Sequence, residues 1–320
     1  MTSTFSCAPY IKEIGRGKAG ARSLSHAQAF ALFDAILRGQ VSDLELGAVM
    51  LAFRVKGESV EEMTAYMDAA QTWLLPLHVD SAWAPVVLPS YNGARHAPNL
   101  LPLLAALLAR AGVPVLVHGI EHFSGRVSSF EIWEQLGWPV ADADSGAEAQ
   151  AQMQTAWAQQ QPVFVPTRVL APRLAELIHL RTILGVRNAT HTLIKMVQPF
   201  TRPALRIVSY THPEYHQLQT EVLRNSGAHA LLLRGTEGEV VANPRRQPQI
   251  EWFHGGQLEV VQPVDMAPLV EVPPLPASRD AEPTAQWIAQ ALDGQQPVPA
   301  VITQQVEQTL RALKYVQPPI

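Results

Sequence analysis

The apolar and polar positions divide the chain into two textures. Across residues 1–75 apolar side chains recur at helical spacing. Ala29, Leu32, Phe33, Ile36 and Leu37 form one stripe, and Leu46, Val49, Met50 and Phe53 form another. Ser25 with Gln28, Ser42 with Glu45, and Ser59 with Glu62 fit the S-x-x-E/Q capping box, while Gly39 and Gly57 stand at helix C-cap positions. These features predict short amphipathic helices that need one another as partners.

From Pro85 the texture alternates. Apolar runs at 84–89, 113–117, 163–165, 205–209 and 230–233 predict buried strands, with further strand-like pieces at 250–253 and 258–261. Between and after them, helices are predicted at about 100–110, 129–136, 147–159, 213–227, 284–292 and 300–313, and residues 267–284 read as proline-rich and irregular. A helical block interrupts the alternation, from Pro172 to Leu180 and from Arg181 to Val197, with Gly185 as punctuation. The expected fold is α/β. A mostly parallel sheet domain (79–166 and 200–320) accompanies a smaller all-helical domain built from two chain segments (1–78 and 167–199).

Composition narrows the function classes. Of 320 residues 47% are hydrophobic and 16% charged, which describes a folded protein. The net charge of −4 confines any nucleic-acid binding to a local basic patch. The single cysteine, Cys7, excludes an internal disulfide framework and a multi-cysteine zinc site. No stretch reaches membrane-span length and the N-terminus lacks signal-peptide features, so a soluble cytoplasmic protein is expected, with no membrane partner.

The candidate chemistry centres on Ser90–Asn99, a small-residue loop between a predicted strand and a predicted helix. That geometry suits a phosphate, because backbone N–H groups and the helix dipole point into the loop. Residues 15–20 match G-x-G-x-x-G, but no strand precedes them. Lys12, Arg16, Lys18 and Arg22 cluster there, a pattern that by itself reads as a solvated helix end. Arg187, His191 and Lys195 recur every fourth residue and would share a helix face; Arg202 and Arg206 follow, and Arg245 with Arg246 forms a second pair. His212 and His216 have zinc-compatible spacing but no third ligand, so a structural role is expected.

The order of these parts resembles that of anthranilate phosphoribosyltransferases and their nucleoside-phosphorylase relatives. Segments 11–18, 90–95, 185–188, 212–215 and 235–240 are most similar to the YbiB group, the second TrpD-like family. The resemblance implies a nucleoside phosphorylase/phosphoribosyltransferase-like fold and a homodimer formed through the helical domains.

The departures from the enzyme pattern carry the functional expectation. The enzyme's phosphate loop reads G-T-G-G-D-G, whereas here only Gly93 remains of those glycines and Arg95 stands near the acid's place. K-H-G-N-R has become Val117-His118-Gly119-Ile120-Glu121, which sets an anion, Glu121, toward the substrate position. The magnesium-binding Asp-Glu pair falls on Val240 and Val241, leaving Glu237 and Glu239 as nearby replacements. Tyr91, Asn92, Gly93, Arg95, His118 and Gly119 are thus expected to be a remnant phosphate-binding loop, with no catalytic residue, metal or cofactor. The resemblance implies largely sequence-independent DNA or RNA binding by a basic groove on the homodimer, through Lys12, Arg16, Lys18, Arg187, Lys195, Arg202, Arg245 and Arg246. The alternatives are a phosphoribosyltransferase-like glycosyltransferase with an altered metal and acceptor site, and a small-molecule binder without turnover.

Overall fold

The computed structural model describes residues 5–17, 19–265 and 272–316. The chain separates into two compact units, Met1–Leu75 with Leu170–Pro199 and Pro76–Val169 with Phe200–Ile320.

The helical unit is built on α1 (Ala8–Ile14), α2 (His26–Leu37), α3 (Asp43–Lys56) and α4 (Val60–Gln71). All three capping boxes form at the starts of α2, α3 and α4, each stabilising its helix by about 1 kcal/mol. Glu62 reaches beyond its own box. Its carboxylate is fully buried and also accepts the Leu24 N–H at 2.8 Å and the Lys56 ammonium at 2.6 Å. The apolar stripes meet as expected, with Phe33 stacked on both Phe53 and Tyr66.

One helix is shorter than its pattern. The periodicity predicts a helix over 181–197, but only Arg181–Leu184 and Thr190–Leu193 are helical. Gly185 takes a left-handed conformation (φ 72°) and ends the first turn. The Asn188 side chain then competes with the helix. Its Oδ1 accepts the Thr190 N–H at 3.1 Å, and its Nδ2 donates to the Leu177 carbonyl at 2.7 Å. Arg187 therefore precedes the second turn and does not share a helix face with Lys195.

The α/β unit is one seven-stranded sheet in the order β3-β2-β1-β4-β5-β6-β7. The strands are β1 (Val86–Ser90), β2 (Val115–Gly119), β3 (Val163–Pro166), β4 (Leu205–Tyr210), β5 (Ala230–Arg234), β6 (Ile250–His254) and β7 (Gln257–Gln262). β1 to β5 run parallel, and β6 and β7 form an antiparallel margin. β1, β2 and β3 are buried throughout, which explains their continuous apolar runs. The core joins sheet residues to Leu104, Trp133, Ile288, Ile302 and Leu313 of the covering helices.

The helix predicted from Thr284 begins earlier, at Ala281. Of the irregular stretch predicted before it, 272–280 contains no helix or strand, and 266–271 lies outside the described residues. Among the described residues no helix is long and apolar enough to cross a membrane. In this strand order the chain winds outward in both directions from β1 and β4. Their C-terminal ends mark the switch point where α/β sheets commonly bind ligands.

Candidate functional site

The loop that follows β1 has curled its backbone donors inward, and the chain itself supplies the anions. The N–H groups of Asn92 and Gly93 both donate to Glu239 Oε1 at 2.7 Å. The N–H of Arg95 donates to Glu237, and that of His96 donates to the same carboxylate at 3.0 Å. Successive N–H groups in such a turn form a concavity of positive potential that suits phosphate or carboxylate. Here two carboxylates from the turn after β5 fill it.

The turn is shaped for this task. Glu237 adopts a left-handed conformation (φ 53°), which a non-glycine residue keeps only when its surroundings impose it. The carbonyl of Gly238 accepts from Asn92 Nδ2 at 2.6 Å and from Ser209 Oγ at 2.7 Å. Gly238 itself has φ 91°, and a Cβ there would stand 2.2 Å from Asn92 Nδ2. The loop's carbonyls are held as well. Arg126 Nη1 donates to Asn92 O at 3.0 Å, and Arg279 Nη1 donates to Gly125 O at 3.1 Å and to Arg95 O.

Several expectations change here. The start of α5 (Leu101–Arg110) is not an open anion site, because Asn99 Oδ1 accepts the Leu101 N–H at 3.0 Å. Glu121 is no unbalanced anion: it pairs with Arg168 at 3.0 Å, which also holds Asp142 at 2.6 Å. The Arg168 guanidinium keeps the Asp142 carboxyl below the usual range. Both Glu237 oxygens and Glu239 Oε1 accept backbone N–H groups of the loop, while Glu239 Oε2 is buried without a hydrogen-bond partner among the described residues. Val240 and Val241 are core residues, and Gln305 clamps the backbone beside them from Val240 O to Ala242 N at 2.8 Å each. Among the described residues no group of three His, Cys, Asp or Glu side chains is placed to hold a metal.

Tyr91, Asn92, Gly93, His118 and Gly119 are buried together, while the Arg95 side chain is exposed. The Tyr91 hydroxyl lies 2.7 Å from His118 Nδ1, and Thr167 Oγ1 donates to Gly119 O at 2.8 Å. Burial lowers the His118 pKa to about 3, so its ring is neutral.

The basic candidates fall in two places. In the helical unit, His191 is buried and its pKa is lowered to about 3, first by burial and then by the charges of Arg187, Arg181 and Lys195. The charges of all three residues thus act on this one ring although Arg187 and Lys195 share no helix face, and Arg181 joins a group that the every-fourth-residue spacing does not include. Arg187 is half-buried and Lys195 is 9% exposed. On α1 Lys12 is exposed; Arg16 is also exposed and bonds Lys12 O at 2.8 Å and Glu13 at 3.0 Å. Lys18 lies outside the described residues. In the α/β unit, Arg202 is half-buried and donates to Ser81 O at 2.8 Å. Arg245 and Arg246 are exposed on a turn held by Asn243. His212 is the N-cap residue of the helix Pro213–Asn225 without a side-chain cap bond, and His216 pairs with Glu251 at 2.8 Å.

Comparison with known proteins agrees with this architecture. Residues 8–72 match the family described as glycosyl transferase family, helical bundle domain. The uncharacterized protein YbiB of Escherichia coli (strain K12) is 42% identical over 291 residues, 90% of this chain and 88% of that protein. An anthranilate phosphoribosyltransferase of Synechococcus sp. (strain JA-3-3Ab) is 28% identical over 247 residues, 76% of this chain and 70% of that one. The crystal structure of anthranilate phosphoribosyltransferase (TrpD) from Thermus thermophilus superposes with a TM-score of 0.69 at 22% identity, covering 96% of this chain and 88% of that one. That likeness establishes the fold.

Proposed function

Because the chain belongs to the YbiB group, the second TrpD-like family, we propose that it is a non-catalytic member of the phosphoribosyltransferase fold that binds the phosphate backbone of DNA or RNA. The observation that carries the first half is the pair of carboxylates in the loop. A pyrophosphate-bearing substrate would have to displace Glu237 and Glu239 from four N–H donors, and it would find valines where a metal needs oxygen ligands.

The second half rests on the cations. Arg181, Arg187 and Lys195 all act electrostatically on His191 in a chain of net charge −4, and a local set of cations of this kind can hold phosphates without reading bases. Lys12, Arg16, Lys18, Arg202, Arg245 and Arg246 are further candidates for such contacts. A second copy of the chain is the proposed partner for the exposed apolar face of α3. Leu44, Leu51 and Val55 lie there at helical spacing, with Leu44 85% exposed. Ile183, 75% exposed, neighbours Leu184, which lies against Gly47 of the same helix. Pairing of these faces would bring two basic clusters into one assembly, in the cytoplasm.

The test is a fluorescence-anisotropy titration of labelled DNA across a salt series. A steep salt slope, indifferent to sequence, supports the reading, and no binding at low salt refutes it. The likeness to anthranilate phosphoribosyltransferases favours a second reading, a phosphoribosyltransferase with altered metal and acceptor site. Calorimetry with phosphoribosyl pyrophosphate and Mg²⁺ separates the two, since only the second expects heat of binding.

A further inference from the structure

The arginines of the α/β unit are held in two ways. Arg168 and Arg311 spend their charge on acids, Arg168 on Glu121 and Asp142 and Arg311 on Glu259. Arg126 and Arg279 are held by backbone carbonyls. Arg126 Nη1 donates to Asn92 O at 3.0 Å. Arg279 Nη1 donates to Gly125 O at 3.1 Å, to Ala94 O at 3.5 Å and to Arg95 O. A carbonyl accepts a hydrogen bond but carries no net charge, so neither guanidinium is neutralised by its partner. Each has five N–H donors, and among the described residues only those on Nη1 are used.

Both arginines are tied to one piece of backbone. Ala94 and Val127 exchange N–H···O bonds of 2.7 and 3.0 Å, so the stretch 92–95 runs beside 125–127. The accepting carbonyls of Asn92 and Arg95 are three residues apart, about 11 Å at most along the chain. Arg95 adds a third guanidinium to this stretch. Its side chain is exposed and has no partner among the described residues. Two acids stand nearby: Glu237 accepts the Arg95 and His96 N–H groups, and Asp280 accepts from Ser278 Oγ at 2.9 Å. Neither forms an ion pair with the three arginines, and the set keeps an excess of positive charge.

A guanidinium already fixed on carbonyls, half-buried as both Arg126 and Arg279 are, loses little further freedom on meeting an anion. Its planar fork offers parallel N–H groups to two oxygens of one phosphate. Resting on the nucleic-acid reading, we propose that Arg95, Arg126 and Arg279 form a backbone-phosphate contact on the α/β unit. The contact takes one phosphate of a DNA or RNA strand, or two successive ones, and reads no bases. It is a site for a polyanion, since binding gains from the counterions that the strand releases, a gain that a free phosphate ion does not bring.

The full chain should be titrated by fluorescence anisotropy with a labelled oligonucleotide across a salt series. Arg95→Ala breaks no side-chain bond to a described residue. It is expected to lower the slope of log K against log salt by about 0.7–0.9, and the Arg126→Ala, Arg279→Ala double variant by about 1.4–1.8. Thermal melts identify a variant that has lost its fold, and Arg95→Ala then decides alone. If wild type binds and no variant changes the slope, the contact is overturned while backbone binding elsewhere stands. A lower Tm with an unchanged slope would likewise make these arginines structural and overturn it. If wild type does not bind at low salt, the nucleic-acid reading falls and the contact with it. If millimolar inorganic phosphate at constant ionic strength displaced the oligonucleotide from wild type, the set would be a small-anion site, which also overturns the backbone contact.

Discussion

Tyr91 and His118 share a 2.7 Å hydrogen bond, and neither side chain reaches solvent. Burial holds the His118 pKa at about 3 in the folded chain, against 6.5 for an ordinary imidazole. Between those values the unfolded chain binds a proton that the folded chain does not. The contribution is therefore fully present above about pH 6.5 and is lost as the pH falls toward about 3. His191, also near 3, acts in the same direction. Each costs up to about 1.4 kcal/mol per pH unit in that window. Urea unfolding between about pH 7 and 4.5 measures the slope, and His118→Asn should flatten it. An unchanged slope in the variant would show that this histidine does not set the acid limit.

Removing the Glu239 carboxylate strands two buried donors. Glu239→Ala is expected to cost about 3 kcal/mol in urea unfolding, and Glu239→Gln, which keeps an acceptor, about 1 kcal/mol. The Glu237→Ala, Glu239→Ala double variant should recover stability on addition of inorganic pyrophosphate, seen as a rise in Tm. The wild type should not respond. Equal responses would mean that the carboxylates do not occupy the anion position.

In the helical unit Glu62→Ala should be among the most damaging single changes. It leaves the Lys56 ammonium without its buried partner and frees the Leu24 and Ser59 N–H groups. A loss of about 3–5 kcal/mol is expected from thermal or urea melts. A loss below about 1 kcal/mol would place this pair among ordinary surface bridges.

For nucleic-acid binding, Arg187→Ala should weaken affinity at every sequence. It should also reduce the slope of log K against log salt by about 0.7–0.9 for the lost phosphate contact. Lys195→Ala should act in the same direction but less, because Lys195 is 9% exposed. If Arg245→Ala and Arg246→Ala lowered the slope while Arg187→Ala did not, the contact surface would lie on the α/β unit instead.

Much of the fold is legible in the sequence because its signals are local. Ser-x-x-Glu and Ser-x-x-Gln spacings specify helix starts whatever packs on them, and the continuous apolar runs of β1 to β3 admit little but buried parallel strands. The helix over 181–197 misleads because Asn188 offers the backbone a side-chain partner, a competition that periodicity does not register. The site is half legible. Absent glycines and paired valines mark the departure from the phosphoribosyltransferase pattern. Nothing in the spacing announces that Glu237 and Glu239 accept the loop's N–H groups, because their partners are more than 140 residues away in the chain. The clue is two acids flanking Gly238, which spacing alone offers to a metal.

That internal occupancy changes what the protein can respond to. A phosphate loop open to solvent gains stability with the logarithm of ligand concentration, so its folding follows the supply of metabolite. A ligand carried on the same chain is presented at a fixed effective concentration set by its tether. With Glu239 on Gly93 and Glu237 on His96, the loop's donors have acceptors within the α/β unit itself, and under the proposed reading the stability of that unit would not follow the concentration of a phosphate ligand.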